Sequence, residues 1–364
     1  MHTVVYCTDR AILAMQKILV TGATGFIGKA LVQAMTKQNF NVIAGIRKQS
    51  SSEASILDGS IDNGNYYFKP GAYKIPYASS QNKCCTSLQA IKQVELGDLS
   101  SVTDHTVALQ GVDVVIHLAA RAHIMHDTAS DPLAEFRKIN TTGTLNFAIQ
   151  AANAGVKRFI FISSIKVNGE MTTNGIPFQV EFPTPPTDPY ALSKYEAEHG
   201  LLSLAKNTGM EVVIIRPTLV YGPGVKGNFA VMIKWLLTGI PLPLGMINNQ
   251  RSFVALDNLV SFIMLCITHP RAANEVFLIS DGEDVSTTQL LQKIARAFNK
   301  RALLLPIPVI CLQLTARLIG QSDKAGRLFN CLQVDSSKAS DLLGWHPVIS
   351  MDQQLKKIAE SYQA

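Results

Sequence analysis

Lys17-Ile-Leu-Val-Thr-Gly-Ala-Thr-Gly-Phe-Ile-Gly28 joins an apolar run to three glycines at three-residue spacing. Its first part, Ile18 to Val20, is the kind of segment that a parallel strand buried on both faces requires. Apolar residues then recur at helical period, at Ile27, Leu31 and Met35. Glycines let backbone N–H groups approach phosphate oxygens, and the N-terminus of a helix adds partial positive charge. The stretch therefore predicts a strand, a tight turn and a helix that bind the pyrophosphate of a dinucleotide.

The composition is that of an ordinary globular chain. It has 364 residues, of which 47% are hydrophobic and 16% are charged, so it can bury a substantial core and is expected to form two unequal lobes. The net charge of +6 is spread along the chain and not concentrated in one run. This distribution argues against a basic patch for nucleic acid, whereas a modest positive excess suits a small anionic substrate.

The cysteines and the N-terminal residues bear on the cellular compartment of the protein. The six cysteines show no spacing typical of a metal site, so we predict no metal and a reducing, cytoplasmic environment. Residues 1–14 lack the regions of a signal peptide and are interpreted as an N-terminal extension that ends before Met15. The most apolar later segment, Leu303 to Leu314, contains two prolines and is too short to span a bilayer. It is expected to be buried or to form an interface.

Strand-like and helix-like segments alternate after the glycine stretch. Asp188 and Pro189 are typical of a helix start, and Gly209 of a helix end. The alternation predicts an α/β fold, with a Rossmann-like doubly wound parallel sheet over 15–217 and a smaller mixed α/β substrate lobe over 218–364. Further strands are predicted at 41–46, 94–96, 112–118, 158–162 and 211–215, and helices at 134–154, 188–207, 287–299 and 351–362.

One long segment interrupts this alternation. Residues 49–88 are polar, rich in Ser, Gly, Asn and Tyr, and show no sustained period. A loop of that length is uncommon inside a compact domain. Either it folds as a lid or it is an exposed, mobile insertion without a catalytic role, and its composition favours the insertion.

Tyr190 and Lys194 stand four residues apart, which places a phenol and an ammonium on one face of a helix. A free tyrosine, with a pKa of about 10, is a poor proton carrier at neutral pH. A nearby ammonium favours the phenolate, so we expect Lys194 to lower the pKa of Tyr190. Ser164 follows a predicted strand, where such folds place ligands, and can hydrogen-bond the same substrate oxygen. The three residues predict acid/base catalysis at a carbonyl.

The end of the second strand bears on the choice of dinucleotide. Sites for NAD place an acidic residue there, on the ribose 2′-hydroxyl, whereas an arginine accommodates the 2′-phosphate of NADP. Arg47 and Lys48 occupy this region and no acid does, which favours NADP(H). The alternative interpretation, a solvated surface pair, stays open at this point.

Taken together, the motifs make the chain resemble the extended short-chain dehydrogenase/reductases that act on nucleotide sugars. They are Thr21-Gly-Ala-Thr-Gly-Phe-Ile-Gly28, His117-Leu-Ala-Ala120, Asn140 with Gly143-Thr144, Ser163-Ser164, Tyr190 to Lys194, Arg216-Pro217 and Leu343-Gly-Trp345. The resemblance covers nearly everything from Met15 onward except the insertion. It implies Tyr190 as the acid/base, Lys194 as its pKa tuner and ribose ligand, and Ser164 as the clamp on the reacting oxygen.

The resemblance also implies the binding residues. Arg251 matches the arginine that holds the nucleotide diphosphate in the family, and a surface salt bridge is the alternative interpretation. Together with Ser164 and Asn168, Arg251 is a predicted substrate contact. The predicted contacts of the NADP or NAD cofactor are Gly22, Thr24, Gly25, Phe26, Ile27, Gly28, Arg47, Asp98, Leu99, Leu118, Ala119, Ala120, Asn140, Tyr190, Lys194 and Pro217.

Departures from the family pattern narrow the reaction. Family dehydratases carry Asp-Glu after the catalytic serine or threonine, whereas this chain has Ile165-Lys166, so we do not expect it to eliminate water. Many family epimerases read Val-Tyr-Gly where this chain reads Val167-Asn168-Gly169, which weakens the epimerase analogy. His123 and His126 lack a third zinc ligand at a suitable spacing, and we assign them no role.

The resemblance implies an enzyme that acts at C4 of a UDP-linked sugar by hydride transfer to or from nicotinamide. The segment 164–169 and a site suited to NADPH favour a reductase of a UDP-4-keto-6-deoxy-N-acetylhexosamine, in surface polysaccharide synthesis. A UDP-glucose or UDP-N-acetylglucosamine 4-epimerase with tightly bound NAD is the alternative. A non-catalytic nucleotide sensor is a third interpretation, which the retained Tyr190 and Lys194 disfavour. The expected partner is a UDP-sugar, without nucleic acid or membrane insertion, and the choice between monomer and homodimer stays open.

Overall fold

The chain forms two compact units, each built from segments that are separate in the sequence. The computed structural model describes residues 16–47, 59–62, 65–68, 91–100, 103–122, 131–173, 175–181, 184–318, 320, 326 and 328–363. The first unit comprises Met1–Val167, Thr184–Arg216 and Val260–Val276. The second comprises Asn168–Pro183, Pro217–Leu259 and Phe277–Ala364.

Parallel strands form the central sheet. The strands of the described residues are β1 (Lys17–Thr21), β2 (Asn41–Ile46), β3 (Gly59–Asp62), β4 (Asn65–Phe68), β5 (Lys92–Glu95), β6 (Val114–His117), β7 (Arg158–Ile162), β8 (Glu211–Pro217), β9 (Leu219–Tyr221), β10 (Arg251–Ala255), β11 (Val276–Ile279) and β12 (Asp284–Val285). Seven of them form one sheet in the order β11-β8-β7-β6-β1-β2-β5. Strand β1 pairs in parallel with β2 on one side and with β6 on the other. The predicted doubly wound sheet is confirmed, and its switch point lies between β1 and β6.

Eleven α-helices accompany these strands within the described ranges. They are α1 (Phe26–Lys37), α2 (Thr106–Leu109), α3 (Pro132–Phe136), α4 (Thr144–Asn153), α5 (Pro189–Thr208), α6 (Asn228–Thr238), α7 (Leu256–Thr268), α8 (Thr287–Ala297), α9 (Val309–Leu318), α10 (Ser337–Leu343) and α11 (Met351–Ser361). A π-helix at Arg137–Gly143 joins α3 to α4, where the sequence predicts one regular helix. Among the described residues, no helix is long and apolar enough to cross a membrane.

Helix α5 begins and ends as its sequence predicts. The Asp188 carboxylate caps the first turn by accepting from the Ala191 N–H at 2.9 Å, and Pro189 opens the helix. Gly209 ends it in the left-handed conformation, with φ of 73°. Because both ends are set by local chemistry, the position of every side chain on α5 is determined along the helix axis.

The core of the first unit explains why its strands are apolar on both faces. All five residues of β7 are buried. Phe159 and Phe161 of β7 belong to the same buried cluster as Phe147 of α4 and Leu201 of α5. Covering helices of this kind remove the strands from water on both faces, as the apolar runs predict.

The second unit is a smaller mixed structure. Strand β10 pairs in parallel with β9 and antiparallel with β12. Side chains of α6, α8 and α11 pack around this sheet in a separate buried cluster that includes Phe229, Leu290 and Leu355. The segment around Phe178 joins the same unit, because the Phe178 N–H donates to the Gln333 carbonyl at 2.8 Å.

Part of the predicted insertion has regular structure. Strands β3 and β4 form an antiparallel hairpin in register from Gly59 opposite Phe68 to Asp62 opposite Asn65. The sequence predicts no strand here, because a short two-stranded ladder needs no hydrophobic period to form its backbone hydrogen bonds. The rest of 49–88, to which the prediction of an exposed, mobile insertion also applies, lies outside the described residues.

Candidate active site

The glycine turn after β1 is closed by backbone contacts that leave no room for side chains. Gly22 has φ of 66°, and a Cβ atom there would lie 2.8 Å from the Ala119 nitrogen. A Cβ atom at Gly28 would lie 2.2 Å from the Gly22 carbonyl oxygen. The Gly25 N–H donates to that same oxygen at 2.9 Å. The turn therefore brings the end of β1, the start of α1 and the end of β6 together.

The start of α1 fits a diphosphate. Its N-cap is Gly25, which contributes no side-chain hydrogen bond, and its first turn contains no acidic residue. Thr24 and Gly25 are exposed. Uncapped N–H groups at the positive end of a helix are a binding site for an anion. The residues present, including Phe26 and Ile27 of the first turn, thus fit the pyrophosphate of a dinucleotide.

The buried His117 side chain is hydrogen-bonded to strand β1 and to helix α4 at the switch point. The Nδ1 atom of His117 lies 3.0 Å from the Thr21 hydroxyl, and its Nε2 atom lies 3.1 Å from the Thr144 hydroxyl. The Thr21 hydroxyl also accepts from the Ala119 N–H at 3.2 Å. Burial and the charge of Lys194 lower the pKa of His117 to about 3, so the ring is neutral at physiological pH. The residues 118–120, the predicted cofactor lining, follow directly from this anchored strand end.

Asn140 joins the loop after β6 to helix α5. Its Oδ1 atom accepts from the Arg121 N–H at 2.8 Å, and its Nδ2 atom donates to the Arg121 carbonyl at 3.1 Å. The same Nδ2 atom lies 3.0 Å from the Ser193 hydroxyl on α5. Asn140 is fully buried, so its observed role is to position these elements. Its predicted contact with a cofactor stays a prediction.

Gly143 allows the chain near Leu99 to approach the π-helix. A Cβ atom at Gly143 would lie 2.3 Å from the Leu99 carbonyl oxygen. Residue 99 stands directly after Asp98, whose carboxylate accepts from the Ser100 N–H at 3.0 Å. This close approach places the predicted cofactor contacts Asp98 and Leu99 beside the π-helix.

Ser164 and Tyr190 are brought together as predicted. The Ser164 hydroxyl is hydrogen-bonded to the Tyr190 phenol, and this bond lowers the pKa of Tyr190. Burial acts more strongly in the opposite direction and raises the pKa of Tyr190 to about 12. Tyr190 is therefore a phenol at neutral pH. The predicted lowering by Lys194 was wrong for the protein alone, because burial dominates.

Lys194 is buried in an apolar setting one turn further along α5. Its Nζ atom lies 4.0 Å from the centroid of the Phe161 ring, a cation–π contact. Burial lowers the pKa of Lys194 to about 7, and the charge of Glu198 partly offsets this effect. Burying the Lys194 ammonium therefore costs free energy, and the attraction of Glu198 offsets only part of this cost.

Glu198 lies one further turn along α5 and forms an ion pair with Arg216 of β8. The sequence analysis did not identify this pair. The Arg216 guanidinium donates to both Glu198 oxygens, from Nε at 3.0 and 3.1 Å and from Nη2 at 2.6 Å. Both side chains are buried. The spacing of Lys194 and Glu198, four residues apart on one helix, is the signal that could have identified Glu198.

Arg47 and Asp98 influence each other electrostatically. Hydrogen bonds from Ser100 lower the pKa of the Asp98 carboxyl, and the charge of Arg47 lowers it further. Both side chains are exposed. The sequence analysis treated them only as separate cofactor contacts and did not include this effect of Arg47 on Asp98. Lys48 lies outside the described residues, as do His123 and His126.

The remaining predicted residues have definite places. Asn168 is buried and donates from Nδ2 to the Gln179 carbonyl at 2.7 Å. Arg251 opens β10 and donates from Nη1 to the Asn330 carbonyl at 3.0 Å. Burial lowers the pKa of Arg251. Pro217 is the last residue of β8. Asn168 and Arg251 both belong to the second unit, and their predicted contacts with a substrate stay predictions.

Among the described residues, no cluster of three or more His, Cys, Asp or Glu side chains could hold a metal ion. The polar groups of the site are instead hydroxyls, one phenol and one ammonium. Such a set can bind and protonate an oxygen without a metal.

Comparisons with known proteins identify the family of the chain. The model of the NAD dependent epimerase/dehydratase family matches residues 18–280, more than half of the chain. The chain is 44% identical over 349 residues to UDP-glucose 4-epimerase of Vibrio cholerae, covering 95% of each chain. It is 25% identical over 351 residues to dTDP-4-dehydro-6-deoxyglucose reductase of Escherichia coli, covering 94% of this chain and 96% of the reductase.

A solved structure shares the fold. The Bordetella bronchiseptica enzyme WbmG, in complex with NAD, has a TM-score of 0.68 and 20% identity, over 95% of this chain and 94% of that one. At this identity the likeness concerns the fold alone. The match at 44% identity and the match to the family model show the family as well as the fold. The chain belongs to the NAD dependent epimerase/dehydratase family.

Proposed function

We propose that this protein is a 4-epimerase of a UDP-linked hexose. Family membership makes it an NAD-dependent nucleotide-sugar enzyme, and confirms the expected nicotinamide dinucleotide as its cofactor. The observation that carries the finer proposal is the 44% identity to a UDP-glucose 4-epimerase over 95% of both chains. The 4-keto reductase that the sequence motifs favour has weaker support, since the related reductase is 25% identical.

The chain's own residues would manage the proton at the sugar O4. A bound nicotinamide supplies reversible acceptance of a hydride from C4. When C4 is oxidised, the phenolate form of Tyr190 would accept the proton of the O4 hydroxyl, and when C4 is reduced again the phenol would return that proton to O4. Burial disfavours the phenolate, whereas the Ser164 hydrogen bond favours it. Lys194, one turn along α5, would add to this effect whenever its ammonium is protonated.

Arg251 would bind the diphosphate of the UDP group. Its guanidinium is largely withdrawn from water, and burial lowers its pKa. Within the described part of the chain it forms no ion pair with a carboxylate; its observed partner is the Asn330 carbonyl. A buried guanidinium gains most from a bidentate anion, and a diphosphate offers suitable oxygens.

The electrostatics near Arg47 favour NAD for this proposal. The sequence interpretation assigns Arg47 to a 2′-phosphate, but Arg47 already stabilises the Asp98 carboxylate. An arginine whose charge is shared with a carboxylate gains less from a second anion. The negative charge of Asp98 acts on the same region and would disfavour a phosphate near Arg47.

One experiment separates the two enzymatic interpretations. Purified protein is given UDP-glucose or UDP-N-acetylglucosamine without added cofactor, and the sugar products are separated by chromatography. We expect the 4-epimer to accumulate to an equilibrium mixture while the nicotinamide absorbance stays constant at steady state. In a parallel reaction, NADPH and a UDP-4-keto-6-deoxy sugar are supplied. Steady oxidation of NADPH there, with no epimer formed in the first reaction, would replace the epimerase proposal with the reductase.

A further inference from the structure

Helix α9 presents an apolar face to water. Its inward side chains, Val309, Leu312 and Ala316, are the ones that are partly or fully buried. The side chains of Ile310, Leu314 and Leu318 recur at four-residue spacing and are 65%, 54% and 87% exposed. At 100° per residue these three lie within one stripe, opposite the inward side. A surface helix of a globular protein normally has polar residues on that side.

The segment that precedes α9 also leaves apolar side chains exposed. The Leu242 N–H donates to the Leu303 carbonyl, and the Leu305 N–H donates to the Leu242 carbonyl, both at 2.8 Å. Leu304 packs against the core cluster of the second unit, so the alternate side chains of Leu303 and Leu305 are left exposed. Ile240, two residues before the ladder, is also exposed. Of the two predictions for 303–314, buried or at an interface, the exposure of Leu303, Leu305 and Ile310 argues against full burial and leaves the interface open.

We define this docking face by Ile240, Leu303, Leu305, Ile310, Leu314 and Leu318. Large exposed apolar patches rimmed by polar residues mark sites that bind proteins or membranes. All six residues belong to the second unit, and none is a candidate catalytic residue.

The two segments that carry the docking face hold charges of one sign. The sequence contains no Asp or Glu from Val212 to Leu256, or from Val285 to Ser322. The exposed charged side chains on these segments include Lys234, Lys300, Arg301 and Arg317. Among the described residues, none of these four forms an ion pair with a carboxylate. Arg317 stands on α9 itself, directly beside Leu318.

We propose that the docking face binds the surface of a bilayer that contains anionic phospholipids. Helix α9, with ten residues, is too short to span a bilayer but long enough to lie in the interface plane with its apolar face among the acyl chains. The cations would remain at the level of the headgroups. The inference is independent of the reaction that the site performs.

The one-signed charge distinguishes this partner from a second copy of the chain. In a two-fold symmetric dimer, the same surface patch contacts itself. If two docking faces met, the lysines and arginines of one copy would face those of the other. These segments contain no acidic residue to pair with them, and such like-charge contacts are unfavourable. An anionic headgroup layer satisfies both the apolar and the positively charged side chains.

Vesicle flotation tests the proposal with the full-length protein. Vesicles of phosphatidylglycerol and phosphatidylcholine in equal parts are compared with vesicles of phosphatidylcholine alone. We expect the protein to float with the anionic vesicles, less with the neutral ones, and less at high salt. Replacing both Leu314 and Leu318 by Glu should lower partitioning by roughly tenfold or more per side chain. The double substitution R301Q and R317Q should lower it by about fivefold per charge.

Val107→Glu is the matched control. Val107 is an apolar side chain on α2 that is 85% exposed, and it lies in the first unit, away from the docking face in the sequence. It should float like the parent protein. If the double glutamate variant does not fold, as judged by circular dichroism, Leu318→Gln alone provides the same comparison at the most exposed position.

Three results would overturn the proposal. The parent protein fails to float with anionic vesicles. All variants, Val107→Glu included, float equally. The parent stays off vesicles while Leu314→Glu with Leu318→Glu lowers its molar mass by light scattering, which would make the face a contact between copies of the chain.

Discussion

At the scale of single residues, the site combines two groups whose pKa values move in opposite directions. Burial raises the pKa of Tyr190 to about 12 and lowers that of Lys194 to about 7. In each case burial favours the neutral form. The two shifts move the pKa values apart, from nearly equal ordinary values of 10.0 and 10.5, so in the protein alone the proton stays on the phenol. The Ser164 hydrogen bond then favours the phenolate.

Tyr190→Phe removes the proposed proton carrier and keeps the ring that lies edge-on to Phe136, with centroids 5.8 Å apart. Loss of general acid/base catalysis should lower the rate of epimer formation by ~10²–10⁴-fold. Binding of the dinucleotide, measured by isothermal titration, should be almost unchanged. A variant that retains turnover within a few-fold of the parent would remove Tyr190 from the mechanism.

Lys194→Met should stabilise the protein while it abolishes activity. Burial penalises the Lys194 charge more than Glu198 stabilises it, and an apolar side chain of similar length avoids this penalty while Glu198 keeps Arg216 as its partner. The pKa of Lys194 is about 7 in the folded chain and 10.5 ordinarily. Between pH 7 and pH 10.5 the unfolded chain holds the lysine proton and the folded chain does not, so the free energy of unfolding of the parent rises with pH. Below pH 7 both states hold this proton, and the full cost of the buried charge remains.

The gain of Lys194→Met in melting temperature should therefore be largest near pH 7 and below, and should vanish as the pH approaches 10.5. Thermal melts over this range measure it. Tyr195→Phe, on the same helix, is the control and should show no such trend. A gain that grows with pH would contradict the burial of a charged lysine.

At the scale of elements, the glycine turn determines how closely β1, α1 and β6 approach. The contact of Gly28 with the Gly22 carbonyl oxygen allows no side chain. Helix α5 has a comparable role, because one helix carries Tyr190, Lys194 and Glu198 in successive turns, and both of its ends are capped.

Gly28→Ala should disrupt the turn although alanine favours helices. Its Cβ atom would lie 2.2 Å from the Gly22 oxygen and 2.8 Å from the Ala23 Cα atom, so the backbone must move. Overpacking of this kind costs about 1–3 kcal/mol. We expect a lower melting temperature and weaker dinucleotide binding. Lys29→Ala, the next residue of α1, is the control and should bind normally; equal binding by both variants would show that the turn tolerates a shift.

At the scale of the whole molecule, side chains join segments that are far apart in the sequence. The buried Arg158 donates from Nη1 to the carbonyls of Cys266, Ile267 and His269, at 2.7, 3.0 and 3.1 Å. Its Nε atom donates to Glu211 at 2.7 Å. These bonds hold the end of α7 within the first unit, and a cation at a helix C-terminus is favourable.

Arg158→Met should destabilise the protein, because it leaves buried carbonyl groups without their donor. An unsatisfied buried group costs about 1–3 kcal/mol. Arg137→Met is the control, since Arg137 forms an exposed pair with Glu196 and such pairs contribute about 0–1 kcal/mol. Melting temperatures measured together should fall clearly for Arg158→Met and little for Arg137→Met. Equal losses would mean that the carbonyl contacts contribute no more than a surface pair.

Several parts of this protein could be read from the sequence because neighbouring residues determine them. The strand, turn and helix from Lys17 onward depend on apolar period and on glycine, and the ends of α5 depend on Asp188 and Gly209. The pairing of Ser164 with Tyr190 followed from strand-end and helix position. The family and its cofactor followed from the same motifs.

Tertiary structure alone decided the features that depend on distant residues. His117 contacts Thr21 across 96 positions, and Arg158 contacts Cys266 across 108. The pKa of Tyr190 rises because folding removes it from water, an effect that the nearby lysine in the sequence does not reveal. The apolar segment 303–314 was expected to be buried or to form an interface, because an apolar run specifies only that burial is favourable. Which of its side chains are buried depends on the partner that the fold provides, and here the fold covers one side of α9 and leaves the other exposed.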